Sequence, residues 1–138
     1  MKKRLLLLLF LPFLFCCSNN ENNNKNPYLP NYTFTIDINT NLPSYSSLQY
    51  PSNAIYYSGA GVRGVIVFNT GSGYNAFDAA CPNQALSSCS TMAINGINAV
   101  CDCDKATYNL FTGQSTGKQY PMKQYRVEVN GNIIRVYN

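Results

Sequence analysis

Four cysteines crowd into one stretch, CPNQALSSCSTMAINGINAVCDCD, which runs from Cys81 to Asp104 of a 138-residue chain with no histidine. Cross-links or metal bonds among them would tie distant parts of a small domain together, so this stretch constrains the fold more than any other. Four cysteines allow three disulfide connectivities. Alternate residues of an extended segment share a face, so Cys101 and Cys103 point the same way and are badly placed to bond each other. Two connectivities remain: Cys81–Cys101 with Cys89–Cys103, and Cys81–Cys103 with Cys89–Cys101.

The start, MKKRLLLLLFLPFLFCC, has a basic head of Lys2, Lys3 and Arg4 followed by eleven residues of apolar run from Leu5 to Phe15. A bilayer-spanning helix takes about 20 apolar residues, so the run has the length of an export signal. It resembles bacterial lipoprotein signals, with Leu14 three places before Cys17 and the small Cys16 directly before it. The resemblance implies residues 1–17 as signal, Cys17 as the acylated residue, and a membrane partner reached through the lipid anchor. Each buried acyl methylene would contribute about 0.8 kcal/mol. Ser18, rather than Asp, follows, which in Gram-negative sorting implies the outer membrane over the inner.

From Ser18 onward seven bases face six acids, so the +4 of the whole chain falls to +1 once the signal is gone. The bases are scattered, and no nucleic-acid partner is implied. Four cysteines in an exported domain favour disulfides. Residues 18–31, SNNENNNKNPYLPN, read as a polar, flexible Asn-rich tether, and residues 32–138 as one domain.

Within that domain Phe34, Ile36 and Ile38 alternate with polar residues as in a half-buried strand. Tyr50 to Gly61 reads as turn-rich. Val62 to Phe68 is an apolar run of central-strand length, and hairpin residues 69–73 lead to a partner strand, Tyr74 to Ala79, that ends beside Cys81. Asn95-Gly96 signals a type I′ hairpin between Met92–Ile94 and Ile97–Val100, whose return strand ends at Cys101. Tyr108 and Leu110 alternate with polar neighbours, and Tyr125-Val127-Val129 pairs with Ile134-Val136 across Asn130-Gly131. No helical period follows the signal. The class is all-β, a small antiparallel barrel or sandwich with two cysteine-bearing loops at strand ends.

These boxes resemble Rieske domains. Cys81-x-Asn83 and Cys101-x-x-Asp104 stand where that family has C-x-H and C-x-x-H. GVIVFNTGSGYNAFDAACPN is similar to its strand–turn–strand and first box, CDCDKATYNLFTG to its second box, and Pro121-Met122 with Tyr125 to Gly131 to its closing segment. The resemblance implies a Rieske-like fold over roughly Val62 to Val136. It also implies a cofactor position at which Cys81 and Cys101 match the thiolate ligands and Asn83 and Asp104 stand in place of the histidines. A [2Fe–2S] centre of this kind needs imidazoles on its second iron, and amide or carboxylate oxygen suits a sulfide-bridged iron poorly. Lys105 replaces a glycine and Ala106 a serine of the family pattern.

The expectation is therefore no cofactor and no metal, with a [2Fe–2S] cluster as the alternative. Cys81, Cys89, Cys101 and Cys103 together form the alternative set for such a cluster or for zinc, although zinc sites favour C-x₂₋₄-C pairs and these pairs are separated by seven residues and by one. In relatives with a disulfide between the boxes the second-box partner corresponds to Cys103, which implies Cys89–Cys103 and leaves Cys81–Cys101. The matching first-box position is Leu86, so a loop remodelled by three residues must carry Cys89 to its partner. Asp102 and Asp104 read as solvated loop carboxylates, and Tyr56, Tyr57 and Tyr120 as bulk. No catalytic set is found. The function expected is a non-enzymatic structural or binding module at the envelope, with an unidentified protein partner; the alternative is an electron carrier binding [2Fe–2S] through cysteines.

Overall fold

The computed structural model describes residues 25–138. The expected signal and the expected acylation site, Cys17, lie outside the described residues, as does half of the tether, residues 18–24. Among the described residues nine strands form two antiparallel sheets. The larger has the order β1 (Thr35–Asn39), β9 (Ile133–Tyr137), β8 (Gln124–Asn130), β4 (Tyr74–Asp78), β3 (Val65–Asn69), β2 (Ala54–Tyr57), and the smaller β5 (Ala93–Asn95), β6 (Asn98–Val100), β7 (Thr107–Asn109). The class is all-β, and a single 3₁₀ turn at Ser46–Gln49 joins the first two strands. No helix among the described residues is long and apolar enough to cross a membrane.

The apolar run becomes β3 (Val65–Asn69), which lies between β2 (Ala54–Tyr57) and β4 (Tyr74–Asp78) and is buried along its whole length. Strand alternation explains the run. Ile66 and Phe68 enter one core with Phe77, Met92, Tyr108 and Leu110, while Val65 and Val67 enter a second with Ile38, Leu48, Ile134 and Val136. A strand covered on both faces has no polar side to show. The first core lies beneath the cysteine loops and includes Cys81 and Cys101.

β1 (Thr35–Asn39) pairs with β9 (Ile133–Tyr137), which pairs with β8 (Gln124–Asn130), and β8 joins β4. Val127 faces Val136 and Val129 faces Ile134. In the small sheet β5 (Ala93–Asn95) and β6 (Asn98–Val100) form the hairpin, and β7 (Thr107–Asn109) completes it.

Two expectations need correction. The passage read as turn-rich contains β2, whose Ile55 is buried opposite Val67 while Tyr56 stays 45% exposed. Four residues flanked by Pro51, Ser52 and Gly59 are too short for the period to show. Both Asn-Gly hairpins are shifted by one residue. Asn95 pairs with Asn98 and Asn130 with Ile133, so Gly96-Ile97 and Gly131-Asn132 are the loops. Gly96 (φ 60°) and Gly131 (φ 58°) take the first loop position. A type I′ turn needs positive φ at both loop residues, and Ile97 and Asn132 do not supply it, so these turns belong to the kind with glycine first.

The tether expectation also changes at its end. Leu29 is 5% exposed. Lys123 Nζ donates to the Pro30 carbonyl at 2.8 Å and to Asn31 Oδ1 at 2.9 Å. Asn26 Nδ2 donates to the Pro82 carbonyl, and Tyr28 meets Tyr120 edge to face at 6.1 Å between centroids. The folded unit therefore begins near Asn26 instead of residue 32, because an apolar anchor and a buried ammonium hold the segment down.

Candidate functional site

Two loops at strand ends build the site. The first leaves β4 after Asp78 and returns toward β5, closed by the Cys81 N–H on the Ser90 carbonyl (2.8 Å) and by a bridge between Ala80 and Thr91. Arg63 Nη2 holds the Ser87 carbonyl of this loop at 2.9 Å. Its base is fixed by the fully buried Asp78, whose carboxylate accepts from the N–H groups of Val62, Arg63 and Ala80 and from the Tyr125 hydroxyl at 2.6 Å. Burial, reinforced by the Asp78 charge and hydrogen bond, pushes the Tyr125 phenol far up, so it stays a donor.

The second loop leaves β6 after Val100 and is closed by the Cys101 N–H on the Ala106 carbonyl at 2.9 Å. Asp104 Oδ1 accepts from the Ala106 N–H at 3.0 Å, an Asx turn. Lys105 sits within it at φ 59°, in the left-handed region. This is the place where the resemblance led one to expect glycine.

Cys81 and Cys101 are joined with Cα atoms 5.6 Å apart, and Cys89 and Cys103 with Cα atoms 5.1 Å apart. Of the two connectivities the spacing leaves open, the structure has the one with Cys101 bonded inward. Cys81 and Cys101 are 1% and 0% exposed, Cys103 is half-buried and Cys89 is exposed. The first loop carries Cys89 to its partner while Leu86 turns outward, 38% exposed. The sulfurs of Cys81, Cys101 and Cys103 all lie within 4.8 Å of one another. Around them sit hydroxyls that the sequence reading missed. Ser87 Oγ is 3.2 Å from Cys89 Sγ and 3.5 Å from Cys103 Sγ, and Ser90 Oγ is 3.8 Å from Cys103 Sγ. The run Ser87-Ser88-Cys89-Ser90 was their signal.

Asn83 and Asp104, the positions matching histidines, are drawn into hydrogen bonds with β7 and the segment after it. Asn83 Nδ2 donates to the Tyr120 carbonyl (2.7 Å) and the Tyr108 hydroxyl (2.9 Å), and Asn83 Oδ1 accepts from the Tyr120 N–H (2.9 Å). Asp104 Oδ2 accepts from Lys118 Nζ at 2.6 Å. Burial pushes the Asp104 carboxyl up, yet the Lys118 hydrogen bond and charge and the Ala106 N–H outweigh it and hold the group below its usual range. Asp102 points to solvent, 3.5 Å from Lys105 Nζ. Among the described residues no buried side-chain nitrogen or oxygen lacks a hydrogen-bond partner.

This donor set does not fit a [2Fe–2S] cluster. Both cysteines that match its thiolate ligands are spent in one disulfide, and both positions that match its imidazoles hold oxygen or amide groups already committed to protein partners. Oxidised sulfurs likewise present no thiolate to zinc.

An antiparallel fold with two cysteine loops at strand ends above a shared core defines the class: the fold is Rieske-like. A chain in the complex of reduced oxygenase and oxidized ferredoxin in carbazole 1,9a-dioxygenase superposes with a TM-score of 0.50 at 17% identity, over 76% of this chain and 92% of the other. The ferredoxin of carbazole 1,9a-dioxygenase from Nocardioides aromaticivorans gives a TM-score of 0.48 at 15% identity, over 77% of this chain and 97% of that one. No protein-family model matches the sequence, and no curated protein matches it.

Proposed function

We propose that this protein is an exported lipoprotein, tethered to the envelope through Cys17 at the outer membrane in preference to the inner. Its Rieske-like domain works without a cluster, as a non-enzymatic structural or binding module for a protein partner. One observation carries the cluster-free reading: the four positions that match a Rieske ligand set are occupied by the Cys81–Cys101 bond and by the hydrogen bonds of Asn83 and Asp104. The export signal and the even cysteine count agree with it, since exported chains meet an oxidising compartment. Stapling replaces metal as the link between the loops. Each disulfide contributes about 2–4 kcal/mol by restricting the unfolded chain.

The alternative, an electron carrier with a cysteine-held [2Fe–2S] cluster, makes an opposite prediction. Protein prepared without oxygen is expected to be colourless, free of iron and acid-labile sulfide, and silent in electron paramagnetic resonance after reduction. Equal amounts of iron and sulfide with a paramagnetic reduced state would establish the carrier instead. Incorporation of a radioactive fatty acid by the wild type, lost in Cys17→Ser, is the expected result for the anchor; equal labelling of both would refute it.

A further inference from the structure

The two disulfides differ in access and nearly touch. Cys89 is exposed, Cys103 half-buried, and Cys81 and Cys101 closed off, yet the Cys103 sulfur lies within 4.8 Å of both buried sulfurs. A link that merely tied the loops together would need only one bond. Two bonds whose sulfurs approach within 4.8 Å, ranked from surface to core, make a path. We propose that the cysteine quartet is a thiol–disulfide relay, through which a dithiol reductant at the surface passes two electrons to the buried pair. The relay rests on the cluster-free reading above.

The steps balance by successive exchange. One sulfur of the reductant attacks exposed Cys89, breaking Cys89–Cys103 and releasing Cys103 as a thiolate. The reductant's second sulfur then displaces Cys89 and closes the reductant's own disulfide. Cys89 and Cys103 now hold the two electrons and, with them, two protons. The Cys103 thiolate attacks Cys81 Sγ, forming Cys81–Cys103 and breaking Cys81–Cys101, and Cys101 leaves with the electron pair and takes a proton. Attack on Cys101 instead would require the strained Cys101–Cys103 bond. Cys89 then attacks Cys103 Sγ, re-forming Cys89–Cys103 and releasing Cys81 as a thiol. The net change is reductant dithiol to disulfide and Cys81–Cys101 to two thiols.

The hydroxyls of Ser87 and Ser90 flank the sulfurs that would carry charge on the way. Ser87 Oγ reaches both Cys89 and Cys103, and Ser90 Oγ reaches Cys103. Hydroxyl donors of this kind favour the thiolate, which is the reacting form, over the thiol.

Cys89→Ser and Cys103→Ser provide the test, because both lose the same outer disulfide and loosen the loops alike, and they differ in which sulfur stays behind. The full oxidised chain of each is treated with dithiothreitol, quenched in acid, alkylated and mapped after cleavage at Leu86 and before Asp102. Cys89→Ser keeps the sulfur beside the buried pair, so its Cys81–Cys101 bond is expected to open about tenfold or more faster than in Cys103→Ser, as exchange rates follow thiol access. In the wild type the peptide pair joined by Cys81–Cys103 is expected early in the time course. Equal rates in the two variants, or a wild type whose buried pair opens with no Cys81–Cys103 peptide at any time, would overturn the relay. Iron in the wild type would overturn the cluster-free reading as well, so the two failures are told apart by metal analysis of the same preparation.

Discussion

At the scale of single residues, the second cysteine loop carries a backbone cost at Lys105. Lys105 holds a left-handed backbone at φ 59°, which disfavours an L-residue by about 1–2 kcal/mol. Its one ionic contact, to Asp102 at 3.5 Å, is between side chains 75% and 63% exposed, and such pairs contribute at most about 1 kcal/mol. Lys105→Gly is therefore expected to stabilise the folded state by about 0.5–1 kcal/mol, read as a higher denaturation midpoint with an unchanged slope. A lower midpoint would mean that the ion pair outweighs the strain. The sequence shows that a lysine stands where the Rieske pattern it resembles has glycine, but local pattern alone does not report the sign of φ. The same limit applies to Asn83 and Asp104. Their mismatch to histidine is plain in the sequence, while their partners Tyr120 and Lys118 come from a stretch, 112–121, with no period to read.

At the scale of elements, legibility tracks the length of a strand or the turn signal beside it, as Asn95-Gly96 marks the three-residue β5 and β6. β3 and β4 are evident from the apolar run and its hairpin, and β8 and β9 from their alternation, because each spans at least five residues. β2 escapes notice with four residues, only one of them buried. The segment 26–31 is missed for another reason: its anchor, Lys123, is more than ninety residues away in sequence. Lys123 is 2% exposed, and burial pushes its ammonium below the usual lysine range against the pull of the Asp78 charge. A buried ammonium kept in place by a carbonyl and an amide oxygen acts as a strap. Lys123→Met, which retains the apolar stem, is expected to speed amide hydrogen exchange at 28–33 and to leave β8 and β9 protected. Equal acceleration in those strands would show that Lys123 supports the sheet instead of the strap.

For the molecule as a whole, the two sheets hold two loops over one core, and the loops are closed on each other by two disulfides and by the Ser87 and Ser90 hydroxyls against Cys103. At the positions that match Rieske ligands, this chain has one buried disulfide and polar groups already satisfied by the protein, with an accessible disulfide beside them. The neighbouring positions of the boxes were implied by the Rieske resemblance; the all-β class and the placing of each box at a strand end were legible from periodicity and turn signals. The choice between two connectivities was not, since both satisfy the geometry of the sequence and only the resemblance distinguished them. Non-reducing peptide mapping of the chain, taken from the envelope with thiols blocked at lysis, tests this arrangement most directly. The expected result is two cross-linked peptide pairs, Cys81 with Cys101 and Cys89 with Cys103, with neither bond replaced by alkylated cysteine. Recovery of Cys81, Cys89, Cys101 and Cys103 all as blocked free thiols would contradict the account and return the site to metal.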